Sequence, residues 1–160
     1  MRIGFFKQDQ LETVADLLCD MSIHYNGANA SERTVVRQNL VQHILGADSG
    51  VMLVVASDAS RAIGLASISL LYPAPKEQGQ LFMKELYVVS DRRAKGIGQA
   101  IMRWVAGYAI QKNCIRFDWT VDATNPKAIE FYRELGATRV EDKLYYRFSG
   151  DQLLKFSLES

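Results

Sequence analysis

The sequence predicts a mixed α/β (α+β) fold, with one sheet carrying helices on its faces, and three observations point there. Apolar residues recur at helical spacing through residues 11–44, change to strand-type runs from Gly50 to Val89, and alternate between the two types afterwards. A cationic, glycine-containing turn, Ser90 to Gly98, joins a strand-like run to an amphipathic one. No repeat, low-complexity stretch or Pro/Gly-rich linker interrupts the 160 residues, so a single domain over 1–160 is expected.

Taken in order, Met1–Phe6 reads as a short strand. Asp9 and Glu12 have the spacing of a capping box, and Leu11, Val14, Leu17, Leu18 and Met21 mark one face of the helix that follows. Ser31 is the expected cap of a second helix bearing Val35, Val36, Leu40 and Ile44. "VMLVVAS" and "AIGLASISLLY" are strands joined through Asp58–Arg61 as a hairpin. "QLFMKELYVV" is apolar on both faces, as a central strand should be, with Lys84-Glu85 as the exception. Gly98–Gln111 is helical, "CIRFDWTV" is a strand, and Asn125–Leu135 is a helix stopped by Gly136. "ATRVE" and "KLYYRF" read as a closing strand pair, and Asp151–Leu158 as a terminal helix. The predicted order is β-α-α-β-β-β-α-β-α-β-β.

Composition excludes several function classes. The net charge is +1, so no general affinity for nucleic acid or anionic membrane follows. Residues 1–50 carry four basic against six acidic side chains, whereas residues 91–136 carry eight against five. The basic excess therefore coincides with the glycine turn. Cys19 and Cys114 lie far apart without metal-type spacing and read as buried thiols. No apolar run approaches the ~20 residues of a membrane span. Residues 1–12 are too charged for a signal peptide, so a cytoplasmic location is expected.

The turn "SDRRAKGIG" carries the chemistry. A helix N-terminus leaves backbone N–H groups unpaired and holds a partial positive charge, and glycine lets a ligand approach closely. With Arg92, Arg93 and Lys95 alongside, a phosphate or pyrophosphate is the natural partner. The nucleotide P-loop spacing is absent. A dinucleotide fingerprint would use Asp118 as its acid, but its third glycine is Ile101 and the turn begins too late after the strand. Arg93-Ala94-Lys95-Gly96-Ile97-Gly98 instead fits R/Q-x-x-G-x-G/A after a central strand.

Downstream, "TNPKAIEFYRELGA" places Asn125, Ala128, Tyr132 and Gly136 in a second block. Together the two blocks resemble the GNAT superfamily of N-acetyltransferases. The resemblance is good over about residues 50–149 and only in outline over 1–48. It is strongest toward the diamine and small-amine branch, through "ELYVVSDRRAKGIG", "NPKAIEFYRELGA" and "KLYYRFSGDQLLKF". Ala94 departs from it, standing where many members have glycine.

The resemblance implies a mostly antiparallel twisted sheet, acetyl-CoA as co-substrate, no metal, and direct transfer to a primary amine in a ternary complex. It places the pyrophosphate on the N–H groups of Ala94, Lys95, Gly96, Ile97, Gly98 and Gln99, beside Arg93. It places the pantetheine arm along Leu86, Tyr87 and Val88 as an added strand, with one N–H polarising the thioester carbonyl. Asn125 would contact pantetheine or anchor a splay between strands. Tyr132 would donate to the departing sulfur. Small relatives dimerise through C-terminal strands, so a homodimer is implied.

Glu85 is the candidate on the amine side, since an unpaired carboxylate in a central strand is costly without a purpose. It would bind the ammonium or relay its proton. An ion pair with Lys84 is disfavoured by strand alternation unless a bulge intervenes. His24 at a helix end and His43 are expected to be structural, Trp119 to pack in the core, and Asp16 and Asp20 to form a solvated helix face. The leading expectation is a small-amine N-acetyltransferase. Its rivals are a protein or peptide N-acetyltransferase and an acetyl-CoA-binding module without turnover.

Overall fold

The computed structural model describes residues 1–158. By compactness the chain divides into Met1–Asp122 and a second unit beginning at Ala123.

The first unit holds a five-stranded sheet in the order β1-β2-β3-β4-β5. Its strands are β1 (Arg2–Phe5), β2 (Met52–Asp58), β3 (Arg61–Ala74), β4 (Gln78–Val88) and β5 (Cys114–Trp119). The pairings are antiparallel except β4 with β5, which is parallel. Helices α1 (Leu11–Asn26) and α2 (Arg33–Asn39) lie between β1 and β2, and α3 (Ile97–Gln111) crosses from β4 to β5. The expected hairpin is present, with Asp58 opposite Arg61.

Adjacent residues of β4 show that the two main helices cover opposite faces. Tyr87 reaches Asp20 of α1. The next residue, Val88, lies opposite Gly64, where a Cβ would come within 3.1 Å of Ile101 of α3. Alternation along the strand puts these contacts on different sides. The α1 side buries Val14, Leu17 and Leu18, and the α3 side buries Ile101, Met102 and Val105.

The start of α1 differs from the capping box expected at Asp9 and Glu12. The chain enters one turn earlier, and Gln10 Oε1 accepts from the Lys7 N–H at 2.9 Å. Glu12 instead receives Arg33 at 2.9 Å and Arg37 at 2.8 Å, which pins α2 to α1. The two guanidinium groups hold the Glu12 carboxyl below its usual range. Ser31 does not cap α2 either; the residue before that helix is Glu32, without a side-chain cap.

The second unit contains α4 (Pro126–Glu134) and α5 (Asp151–Leu158). Asn125 caps α4, its Oδ1 accepting from the Ala128 N–H at 3.1 Å, and Pro126 takes the first helical position. Gly136 ends α4 with φ +81°. The Ala137 N–H returns to Tyr132 O and the Gly136 N–H to Arg133 O, a Schellman closure.

The expected strands "ATRVE" and "KLYYRF" are not formed. Residues 137–149 carry no strand, and Leu144 and Tyr146 are 80% and 84% exposed. Strand propensity expresses itself only against a partner ladder, and this segment has none among the described residues.

Candidate functional site

The site expected around residues 84–99 is assembled from β4, the turn after it and the first turn of α3. Its first feature is a bulge. Met83 lies opposite Ile68 and Glu85 opposite Ser67, so Lys84 is an extra residue in β4. One inserted residue changes which face the following side chains take. Glu85 therefore shares the α1 face with Tyr87, while Met83 lies on the α3 face. The bulge also permits the ion pair that alternation would forbid, Lys84 Nζ to Glu85 at 3.4 Å. Lys84 is 73% exposed, so this pair is a weak tether.

The second feature is the free edge of β4. The Val89 N–H donates to Ile63 O at 3.1 Å, and the register then pairs Tyr87 with Leu65 and Glu85 with Ser67. Bonding residues alternate in an antiparallel ladder. Glu85, Tyr87 and Val89 thus direct their backbone groups to β3, and Leu86 and Val88 direct theirs away from it. On that far side, among the described residues, β5 pairs only with Gly79 to Met83. Of the three residues expected along this edge, Leu86 and Val88 offer backbone groups to it. Tyr87 does not.

The edge runs into the turn. Ala94 has φ +57° and Gly96 φ +75°, both left-handed, with Lys95 between them. Gly96 precedes α3, and a Cβ there would meet nothing within 4 Å. Ala100 is the first residue to donate into the helix, to Gly96 O at 2.9 Å. The N–H groups of Ile97, Gly98 and Gln99 have no side-chain cap. Successive N–H groups in such a turn form a concavity suited to an anion.

The cations divide into two kinds. Arg92 is engaged by Asp58 at 3.1 Å and by Asp91 at 3.9 Å, which fixes the turn to the β2–β3 hairpin. Lys95 Nζ donates to Asp91 O and Arg93 Nε to Val88 O, each at 2.9 Å. Both keep their charge unneutralised by carboxylates in these bonds and border the turn.

On the α1 face, Tyr87 is 4% exposed and its hydroxyl donates to Asp20 Oδ2 at 2.7 Å. Burial, then the bond to Asp20 and its charge, push the Tyr87 hydroxyl up to about 12. The rings of His24 and Tyr25 stand 5.8 and 6.3 Å from that of Tyr87. Burial and the charge of Glu85 raise the Tyr25 hydroxyl as well. Asp20 is thus a partner of the central strand, not part of a solvated face. No spacing could announce a pairing across 67 positions. Asp16 is the exposed member, bound to Arg33 at 2.7 Å. A cleft of about 250 Å³ opens beside α1, lined in part by Thr13, Asp16, Asp20, Arg61 and Val89, the residue before the turn.

In the second unit, Asn125 and Tyr132 lie at the start and in the last turn of α4, and Tyr132 packs edge-on against Phe131 at 5.1 Å. Cys19 and Cys114 are free thiols and half-buried. Among the described residues no cluster of His, Cys, Asp and Glu is arranged for a metal ion, and no helix is long and apolar enough to cross a membrane.

Comparison with known proteins identifies relatives of the chain and of its fold. Thialysine N-epsilon-acetyltransferase of Mus musculus is 36% identical over 76 residues, covering 46% of this chain and 45% of that protein. L-ornithine N5-acetyltransferase of Arabidopsis thaliana is 28% identical over 82 residues, covering 51% of this chain and 36% of that one. The matched region thus spans about half the length of these relatives or less. An integron cassette protein from the mobile metagenome of V. cholerae has a TM-score of 0.95 at 34% identity, over 99% of this chain and 98% of that one. An aminoglycoside acetyltransferase from an uncultured soil metagenomic sample, solved with sisomicin, shares the fold at a TM-score of 0.74 and 15% identity, over 92% and 95% of the two chains. The family model for the acetyltransferase (GNAT) family matches residues 14–137, a span that holds the free β4 edge, the turn and α4. With the match covering most of its length, the chain belongs to the GNAT acetyltransferases.

Proposed function

We propose that this protein transfers an acetyl group from acetyl-CoA to a primary amine of a small molecule, by direct attack in a ternary complex. The observation that carries the reading is the continuity of two binding surfaces. The open edge at Leu86 and Val88 suits an extended amide-bearing arm. It leads to a turn whose uncapped N–H groups and flanking Arg93 and Lys95 suit a pyrophosphate. Acetyl-CoA joins those two chemistries in one molecule and supplies an acetyl group activated as a thioester.

The residues then have these roles. The N–H groups from Ala94 to Gln99 hold the pyrophosphate, and Leu86 and Val88 orient the arm by backbone hydrogen bonds. One N–H of this edge polarises the thioester carbonyl. Glu85, on the α1 face, binds the ammonium and takes or relays its proton, because an alkylamine of pKa near ~10 is mostly protonated at neutral pH. Tyr132 donates to the sulfur as it leaves. Asn125, which caps α4, would contact the arm or anchor a splay between strands.

A small amine is favoured over a protein acceptor because relatives named for thialysine and ornithine acetylation match about half of the chain. The protein works as a homodimer in a cytoplasmic setting. The segment with strand-like alternation that finds no partner exposes Leu144, Tyr146 and Phe148, and α5 exposes Leu154, Phe156 and Leu158. A second copy is the occupant that supplies the same complementary pattern. Sedimentation should give twice the chain mass, reduced to one by Leu144→Asp with Tyr146→Asp.

The reading of the ligand is tested by melting with acetyl-CoA. A ligand at a hundred times its Kd adds ~2.7 kcal/mol, on the order of 5–10 °C here. An equal shift with ATP, or none with acetyl-CoA, contradicts it.

A further inference from the structure

Asp20 and Tyr87 have no part in the transfer itself, yet they form a part-buried polar contact where a phenylalanine would fill the space of the tyrosine ring. The Tyr87 hydroxyl donates to Asp20 Oδ2 at 2.7 Å. The guanidinium of Arg93 lies over the same ring, 5.2 Å from its centroid. Arg93 Nε in turn donates to Val88 O at 2.9 Å. Two contacts in series therefore run from α1 through the centre of the sheet to Arg93, the first residue of the turn motif, and a third returns from Arg93 to the edge of β4.

This series acts on the edge that receives the ligand. Val88 O is one of the groups directed away from β3, and Arg93 occupies it. The edge is left with the N–H groups of Leu86 and Val88 as donors and Leu86 O as acceptor, which sets where an extended arm can begin to pair. The same bond fixes Arg93, and hence the entry to Ala94 and Gly96. The position of Arg93 depends on the ring beneath it, because a guanidinium stacked on an aromatic face has a defined geometry. The ring in turn is oriented by its hydroxyl bond to Asp20, and Arg93 also acts on that hydroxyl.

We infer that Asp20 and Tyr87 are positioning residues for acetyl-CoA, acting through Arg93 on the edge of β4 and on the turn. The inference rests on the ligand assignment made under the proposed function. It separates these residues from mere core packing, because a packing role would change stability without changing how Arg93 contributes to affinity. Among the described residues Asp20 makes no bond of its own to Arg93, and Tyr87 is the residue that contacts both.

The test is calorimetric titration of CoA into the wild type, Asp20→Asn, Tyr87→Phe, Arg93→Ala and the double variant Asp20→Asn/Arg93→Ala, with melting temperatures measured alongside. Residues in one network show non-additive effects, whereas independent sites add. Asp20→Asn and Tyr87→Phe are each expected to raise Kd roughly three- to tenfold, and Asp20→Asn to have no further effect once Arg93 is alanine. Tyr87→Phe keeps the ring and serves where Asp20→Asn folds poorly. Unchanged Kd in Asp20→Asn and Tyr87→Phe, or the same factor for Asp20→Asn with and without Arg93, overturns the inference even if both variants are less stable. A wild type that fails to bind CoA overturns the ligand assignment together with it; a wild type that binds, with uncoupled variants, overturns this inference alone.

Discussion

Met83 and Glu85 are two residues apart on one strand and face opposite sides of the sheet. Regular alternation would place them on the same side. The inserted Lys84 reverses the pattern and carries Glu85 to the face where α1 brings His24 and Tyr25 against Tyr87. A carboxylate delivered to that face by a bulge is suited to an ammonium group, and the consequence can be measured.

Glu85→Gln keeps the size and removes the charge. Activity should fall most near neutral pH and recover in part as pH approaches the pKa of the amine, since less of the substrate then needs a base. A pH–rate profile parallel to that of the wild type would make Glu85 a structural residue.

The turn makes opposite predictions at two neighbouring positions. Ala94 holds φ +57°, which costs a side chain ~1–2 kcal/mol relative to glycine. Glycine's extra freedom in the unfolded chain takes back ~0.4–1 kcal/mol, so Ala94→Gly should raise stability by up to about 1.6 kcal/mol and leave CoA affinity near wild type. Gly96→Asp puts a carboxylate and a Cβ at φ +75° where the anion should lie. It should abolish CoA binding in a protein that remains folded, and calorimetry with circular dichroism checks both.

Tyr87 gives a pH signature of the α1 face. Its hydroxyl is pushed up to about 12 in the folded protein, against an ordinary value near 10. The folded state therefore holds this proton more tightly than the unfolded state. The stabilisation is fully present below pH ~10 and is lost as pH rises through ~12, on the order of 2 kcal/mol in all. Melting temperature should fall more steeply between pH 10 and 12 in the wild type than in Tyr87→Phe. Parallel curves would show that the hydroxyl is not held as described.

Much of this arrangement was legible in the residues, and the gaps have physical causes. The turn, the strand before it and the helix after it announce themselves through glycine, charge and period. Asn125 and Gly136 mark both ends of α4 because caps are local chemistry. The bulge at Lys84 was not legible, since it depends on the register against β3. The bond between Asp20 and Tyr87 was hidden by sequence distance, and two acids four apart on a helix read as a wet surface. The segment "KLYYRF" has the composition of a strand, but composition cannot supply a neighbour.

Tyr132→Phe isolates the sulfur side of the reaction. The ring is kept, so packing against Phe131 should persist. On the proposed mechanism the hydroxyl meets the negative charge that grows on sulfur, an interaction stronger in the transition state than in the ground state. Single-turnover rates should drop roughly 10²–10⁴-fold, less if water substitutes, with CoA affinity nearly intact. A large loss of affinity at unchanged rate would make Tyr132 a binding residue.

The central claim is acetyl transfer to an amine, and release of CoA thiol tests it most directly. Acetyl-CoA is mixed with the protein, first alone and then with a panel of small primary amines that includes ornithine, thialysine and polyamines, and free thiol is followed with time. The account predicts negligible release without amine and catalytic, enzyme-dependent release with at least one amine, matched by an equal amount of acetylated product. Acetyl-CoA bound without amine-dependent release for any small amine or peptide would contradict it and leave a binding module in its place.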